Sequence, residues 1–238
     1  ALIAAAGVGG VSVSRRPVVA LIPTGDELVA PGEMPGPAQI MASSVVALAA
    51  MLQAEGCVAR ILPIARDQPE HLRAVFDLAR GADAIVTTGG ASVGEHDLVL
   101  PVARELGAEL ALWKVAVRPG KPLMAGRLFD ALFLGLPGNP VAALVCAQLF
   151  LLPALRAMQG LGAWPAATLP GHLAAPVGPN GPRAPYMRAI LEPGGAGRAL
   201  PSQDARRGAV LAPADALLIR PVGDPARPEG HPVRYLPL

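Results

Sequence analysis

The chain has 238 residues, enough for one full α/β core and a smaller second unit. Hydrophobic residues make up 52% and aromatics only 3%, so the apolar content is mainly Ala, Val and Leu, with much of the Ala suited to tight helix packing. A formal net charge of +2, with no Lys/Arg block, excludes a surface that tracks a phosphodiester backbone. No nucleic-acid partner is expected, and any anion handled here is small and local.

In chain order, the run ALIAAAGVGGVSV lacks a basic n-region, and residues 1–16 read as the remnant of an upstream segment, not a signal peptide. Pro17 to Ile22 (PVVALI) predicts a buried strand that ends in a loop beginning Thr24, Gly25, Asp26. Gln39 to Glu55 predicts a helix stopped by Gly56. Cys57 to Ile64 follows as a strand, Gln68 to Arg80 as a helix stopped by Gly81, and Asp83 to Thr88 as a third, very apolar strand. Leu98 to Leu106 predicts a helix, Glu109 to Val117 a strand, Leu123 to Gly126 and Ala131 to Leu136 two short strands, and the stretch after Asn139 a helix. This alternation predicts a three-layer α/β domain over 17–162, with a mostly parallel sheet and helices on both faces.

The longest apolar stretch, Val141 to Met158, is interrupted by Gln148, Pro153 and Arg156, whereas a spanning helix needs roughly 20 predominantly apolar residues. It predicts a buried core helix that ends or bends at Pro153, and no membrane partner is expected. Cys57 and Cys146 sit in apolar patterns without metal-ligand spacing, which fits a reducing cytoplasm. Beyond Gly160, Pro and Gly punctuate the short segments Ala184 to Leu191, Ala216 to Arg220 and Pro232 to Leu236. A small all-β domain over 163–238 is expected, with its boundary near Leu161 to Pro165.

Ligands of open α/β sheets bind outside the carboxyl ends of the strands, where strand order reverses. The third strand runs into Gly89-Gly90-Ala91-Ser92-Val93-Gly94, where glycines let backbone N–H groups approach a phosphate and Ser92 and the following helix can donate to it. The same residues also suit an ordinary tight turn with Asp97 as a helix cap. Lys114, Arg118 and Lys121 place three cations within eight positions beside a strand end, which suits a phosphate or oxyanion. Pro137 and Gly138 end a strand, and Asn139 with Pro140 opens a helix, leaving Gly138 free to face a ligand. Asp26, Glu27, Asp67, Glu95 and Asp97 are acidic candidates; carboxylates at several strand ends opposite cations are what Mg²⁺-assisted phosphate chemistry requires.

TGDEL at 24–28, ARDQP at 65–69, GGASVGEHD at 89–97, WKVAVRPGKP at 113–122 and GLPGNP at 135–140 together resemble the molybdopterin molybdenumtransferase (MoeA) family, which includes the E domain of gephyrin. The resemblance implies a molybdopterin-binding, MogA-like α/β domain that inserts molybdate into adenylylated molybdopterin, with release of AMP and support from Mg²⁺. It makes Asp67 and Asp97 catalytic or metal-binding, puts Lys114 and Lys121 near the pterin phosphates, and makes Gly89, Gly90, Ser92 and Gly94 the pterin loop. Arg118 joins the catalytic set, and Thr24, Gly25, Asp26, Pro137 and Gly138 the binding set. A homodimeric full-length parent and the molybdopterin adenylyltransferase as partner are also implied.

The chain departs from the family in three places. Ala42-Ser43-Ser44 stands where an Asp-Ser/Thr-Asn group is common, Arg118 stands where Lys is frequent, and Gln203 to Gly208 replaces a usual Gln followed by Ser and Gly. Relatives carry roughly 150 further upstream residues, so turnover by this length of chain is expected to be impaired. The alternatives are a non-catalytic pterin carrier, the adenylyltransferase itself, and a nicotinamide-nucleotide deamidase built on the same α/β domain.

Overall fold

The computed structural model describes residues 1–90, 98–162, 165–204 and 211–238. Ser92, Gly94 and Asp97, with Arg206 and Arg207, lie outside the described residues. The chain runs α1 (Leu2–Ala5), β1 (Val18–Pro23), β2 (Leu28–Val29), β3 (Ile40–Met41), α2 (Ser43–Ala54), β4 (Val58–Ile61), α3 (Pro69–Leu78), β5 (Ala84–Thr88), α4 (Val99–Glu105), β6 (Glu109–Trp113), β7 (Val117–Arg118), β8 (Met124–Leu128) and β9 (Ala131–Leu136). A long helix follows: α5 (Pro140–Cys146), a π-helical stretch (Ala147–Leu151) and α6 (Leu152–Met158).

The first sheet has the order β4-β1-β5-β9-β8-β6, with β4, β1, β5 and β9 parallel. β8 runs against both β9 and β6, so β6 points the same way as β9. β5 is buried along its whole length and β1 nearly so, as expected of central strands covered on both faces. Alternate side chains of β1 feed two cores: Val19 and Leu21 pack with Leu48 and Leu52 of α2 and with Cys146 and Leu155 of the long helix, while Ala20 and Ile22 pack with Leu72 and Phe76 of α3 and Val102 of α4. This is the expected three-layer arrangement.

Three elements differ from the sequence expectation. Ile40 and Met41 pair with Leu28 and Val29 as a small parallel ribbon, so the helix expected from Gln39 begins at Ser43. The strand expected over 109–117 stops at Trp113, because Lys114 takes a left-handed conformation (φ 67°) and its N–H donates to the Leu123 carbonyl at 2.8 Å. The helix after Asn139 does not end at Pro153 but runs on to Met158. Proline removes the N–H that would close an α-turn there, and the π-helical stretch just before it absorbs the mismatch. At 19 residues and mean hydropathy 1.9, Pro140–Met158 is long and apolar enough to cross a membrane, but 56% of it is buried within the fold, where it forms the floor of the first core.

The second sheet comprises β10 (Leu169–Leu173), β11 (Ala184–Glu192), β12 (Ala196–Ala199), β13 (Ala216–Ile219) and β14 (Pro232–Pro237). Their order β12-β10-β14-β13-β11 closes on itself through β11–β12 pairing, forming a small barrel among the described residues. β10 and β12 escaped the sequence reading because LPGHL and AGRA have weak strand character. The glycines are there for space: a Cβ on Gly171 would lie 2.7 Å from the Gly195 carbonyl, and one on Gly197 would lie 2.6 Å from Leu218 Cδ2. The barrel meets the α/β layers through Leu217 and Leu236, which pack on Val141 and Val145 of α5. β7 also joins it, Val117 and Arg118 pairing in parallel with Ala184 and Pro185.

Candidate functional site

The chain goes from β1 to β4 on one side and then crosses to β5 on the other, so strand order reverses between β1 and β5. At their carboxyl ends Thr24 and Gly89 face each other. The Thr24 N–H and hydroxyl both donate to the Thr88 carbonyl, at 3.0 and 3.2 Å, and the Gly89 N–H donates to the Leu136 carbonyl at 3.2 Å. Gly89 has φ 100°, Gly90 has φ 58°, and a Cβ on Gly138 would stand 3.3 Å from Gly89 Cα. Three loops of the rim thus converge with little side chain between them, so the surface they offer a ligand is mostly backbone.

Beside this point the loops after β1 and β4 are laced together. The Asp26 N–H donates to Asp67 Oδ2 at 3.3 Å and the Asp67 N–H donates to Asp26 Oδ1 at 3.1 Å. Both carboxylates are exposed, and each keeps one oxygen uncommitted. Among the described residues no group of three or more His, Cys, Asp or Glu could hold a metal ion, so a cation at Asp26 and Asp67 would complete its shell with water or ligand phosphate.

On the other side of Gly138 opens a cleft of about 820 Å³ between the sheet rim and the barrel. Arg118, Lys121, Pro137, Gly138 and Asn139 form one wall, and Arg183, Ser202, Gln203 and Asp204 the other. Asn139 also caps α5, its Oδ1 accepting from the Ala142 N–H at 3.1 Å. Gly120 (φ 119°) lies against Cys146, whose thiol is 3.7 Å from the Gly120 carbonyl; burial pushes that thiol's pKa up to about 12.

Behind the barrel wall lies Arg188, 1% exposed and the largest fully buried side chain among the described residues. It stands opposite Leu217, on the barrel face that packs against α5. Its backbone N–H donates to Gln203 Oε1 and its carbonyl accepts from Gln203 Nε2, both at 3.0 Å. Its Nε and Nη2, the two donors along one edge of the guanidinium, have no hydrogen-bond partner among the described residues. Burial lowers its pKa, as does the charge of Arg118, while Asp204 acts the other way. A buried fork of donors beside further cations has the geometry and charge to bind an oxyanion.

Of the residues singled out from sequence, Arg118, Lys121, Pro137 and Gly138 share the cleft, Thr24, Gly25 and Gly89 line the switch point, and Asp26 and Asp67 form the acidic end. Lys114 stands apart at the end of edge strand β6, exposed, with its ammonium 4.3 Å from the Trp113 ring. Sequence reasoning passed over Arg183 and Arg188; a lone charge inside the apolar strand APYMRAILE was the signal for Arg188.

Residues 20–157 match the family described as "Probable molybdopterin binding domain". The chain is 39% identical over 165 residues to the molybdopterin molybdenumtransferase of Nostoc sp., covering 68% of this chain and 38% of that protein. It is 34% identical over 203 residues to molybdopterin molybdenumtransferase 2 of Mycobacterium tuberculosis, covering 80% and 49%. The structure is similar to that of the molybdopterin biosynthesis MoeA protein from Pyrococcus horikosii, with a TM-score of 0.85, 28% identity, and coverage of 99% of this chain and 58% of that one. The chain therefore spans about two fifths to a half of the length of these curated relatives.

Proposed function

Because the chain belongs to the molybdopterin molybdenumtransferase (MoeA) family, whose role is in molybdenum cofactor biosynthesis, we propose that its rim binds adenylylated molybdopterin and that its cleft receives molybdate, with AMP as the released product. The observation that carries this reading is the buried Nε and Nη2 fork of Arg188, unpaired among the described residues, whose backbone is bonded to Gln203 of the cleft wall that faces Arg118 and Lys121. A dianionic oxyanion would satisfy donors that are otherwise costly to bury.

The spacing of the rim suits an extended substrate. Strands lie about 4.8 Å apart, so about 14 Å separates the acidic end after β4 from Gly138 after β9. Thr24, Gly25, Gly89, Gly90, Ser92, Gly94, Pro137 and Gly138 hold the pterin and its phosphates, and Lys121 and Arg118 balance charge on the phosphoanhydride as it is cleaved, with Lys114, outside the cleft at the end of β6, adding positive charge at longer range. Asp67 and Asp97 would hold Mg²⁺, with Asp26 as a further ligand; the uncommitted carboxylate oxygens of Asp26 and Asp67 fit an ion that keeps several waters and takes one or two carboxylates. When bound, Mg²⁺ would supply charge neutralisation at the leaving AMP phosphate. The dithiolene brings its own sulfur ligands, so Cys57 and Cys146 stay outside the chemistry.

To the same reading belong a division of the chain into units at 17–162 and 163–238, a homodimeric parent, the adenylyltransferase as supplier of substrate, and a cytoplasmic setting. A carrier without turnover is the second reading, favoured by Ala42, which sits buried at the start of α2 without a capping side chain, where the family resemblance implies an acid. Titration of the purified chain with molybdopterin and its adenylate tests the first claim, and absence of binding to either removes it. Release of AMP on adding molybdate and Mg²⁺ separates insertase from carrier.

A further inference from the structure

The loop after β1 carries Thr24, Gly25 and Asp26, and its order has a source outside itself. Nη1 of Arg66 donates to the Leu28 carbonyl at 2.9 Å and the Asp26 carbonyl at 3.1 Å, and lies 3.4 Å from the Gly25 carbonyl. Three carbonyl oxygens turned toward one point repel each other unless a cation sits among them. Arg66 is itself fixed, because its N–H donates to His71 Nδ1 of α3 at 3.1 Å and its neighbours Ala65 and Asp67 are bonded to the same loop through Pro23, Gly25 and Asp26.

We propose that Arg66 is a positioning residue: its guanidinium sets the 24–28 loop so that the free oxygens of Asp26 and Asp67 face the same ligand phosphate. The role rests on the insertase reading, since it presumes that those carboxylates serve a phosphate-bound cation. Arg66 touches no substrate itself. The clasp is made by Nη1 alone, and a lysine Nζ, one bond shorter and without the rigid guanidinium plane, does not reach the same point.

The test compares the wild-type chain with Arg66→Lys and Arg66→Gln. The readouts are amide hydrogen exchange, thermal unfolding, titration with molybdopterin, and AMP release from adenylylated molybdopterin with molybdate at varied Mg²⁺. Both variants are expected to melt within a few degrees of wild type, while the Asp26 and Glu27 amides exchange at least about tenfold faster. The kcat for AMP release should fall about tenfold or more, with KM and molybdopterin affinity changed less than about threefold, and the Mg²⁺ needed for half-maximal rate should rise. Wild-type kcat and Mg²⁺ dependence in either variant, or unchanged exchange in both, overturns the proposal. Should the wild-type chain release no AMP, the insertase reading fails on its own, and the exchange and molybdopterin measurements decide on Arg66: a loosened loop with molybdopterin affinity kept supports the clasp, and unchanged exchange ends it.

Discussion

The carbonyl oxygen of Thr24 lies 2.6 Å from where a β-carbon on Gly89 would stand, and the Thr24 hydroxyl lies 2.7 Å from it. Two loops from neighbouring parallel strands therefore touch at the switch point through a gap that only hydrogen fills. Gly89→Ala should strain a φ of 100° and push the loops apart, costing about 1–3 kcal/mol. Denaturant unfolding measures that loss, and molybdopterin titration should show binding weakened by much more than stability alone accounts for. A Gly89→Ala protein that binds molybdopterin as wild type would remove this contact from the site.

Arg188 gives a prediction of opposite sign. Its buried Nε and Nη2 are unpaired among the described residues, and each such group costs about 1–3 kcal/mol while no anion is present. Arg188→Met keeps most of the volume and removes the charge, so the ligand-free protein should be as stable as wild type or more so. Protection by molybdate, seen as a rise in melting temperature of the wild-type chain, should vanish in the variant. A variant that is clearly less stable without ligand would mean that the guanidinium holds the barrel together instead.

Much of this was legible in the sequence, for reasons that particular residues show. PVVALI and the run at Asp83 to Thr88 read as central strands because a strand buried on both faces needs no alternation. Of the rim, the sequence showed glycines at Gly89 and Gly138, and these are where the loops approach backbone to backbone. Lys114 was harder: strand content ran on through Val117, and nothing local announces that a lysine will adopt φ 67° and turn the chain toward the barrel. The barrel strands β10 and β12 were invisible because Gly171 and Gly197 answer to neighbours far along the chain, Gly195 and Leu218. The cleft was half legible, since Arg118 and Lys121 sit in one motif whereas Arg183 reaches it only when β7 joins β11.

Cys146 is buried beside Gly120, and burial pushes its pKa up to about 12. At pH 8 its thiolate fraction is then about 10⁻⁴, and solvent does not reach the sulfur. Iodoacetamide at pH 8 should leave Cys146 unmodified in the native chain and label it fully in denaturant, as read by peptide mass spectrometry. Molybdopterin binding should be untouched by the native treatment. Rapid native labelling of Cys146 would show that the loop bearing Lys121 opens away from α5.

The barrel carries its own acid sensor. The Asp224 side chain is buried, its Oδ1 accepting from Arg227 Nε and Nη2 at 2.8 and 2.6 Å and its Oδ2 from Arg220 Nε at 2.8 Å. The hydrogen bonds from Arg227 and then Arg220 hold its pKa below the ordinary carboxylate value, against the opposing effect of burial. The unfolded chain binds this proton more readily than the folded one, so the arrangement contributes stability above about pH 3.9 and loses it as pH falls through the lower folded value. Arg220 cannot relax into water when the acid is neutralised, because its Nη1 and Nη2 also hold the carbonyls of Gly178 and Pro225, at 2.7 and 2.6 Å. Asp224→Asn should therefore cost about 3–5 kcal/mol at neutral pH, where it leaves a buried cation short of its partner. It should also flatten the decline of unfolding free energy below about pH 4, because the variant has no proton to take up there. Urea unfolding of both proteins from pH 7 down to pH 2.5 checks the two effects together, and an acid limb as steep in Asp224→Asn as in wild type would place the sensitivity at another carboxylate, with the Arg15-paired Asp83 the next to test.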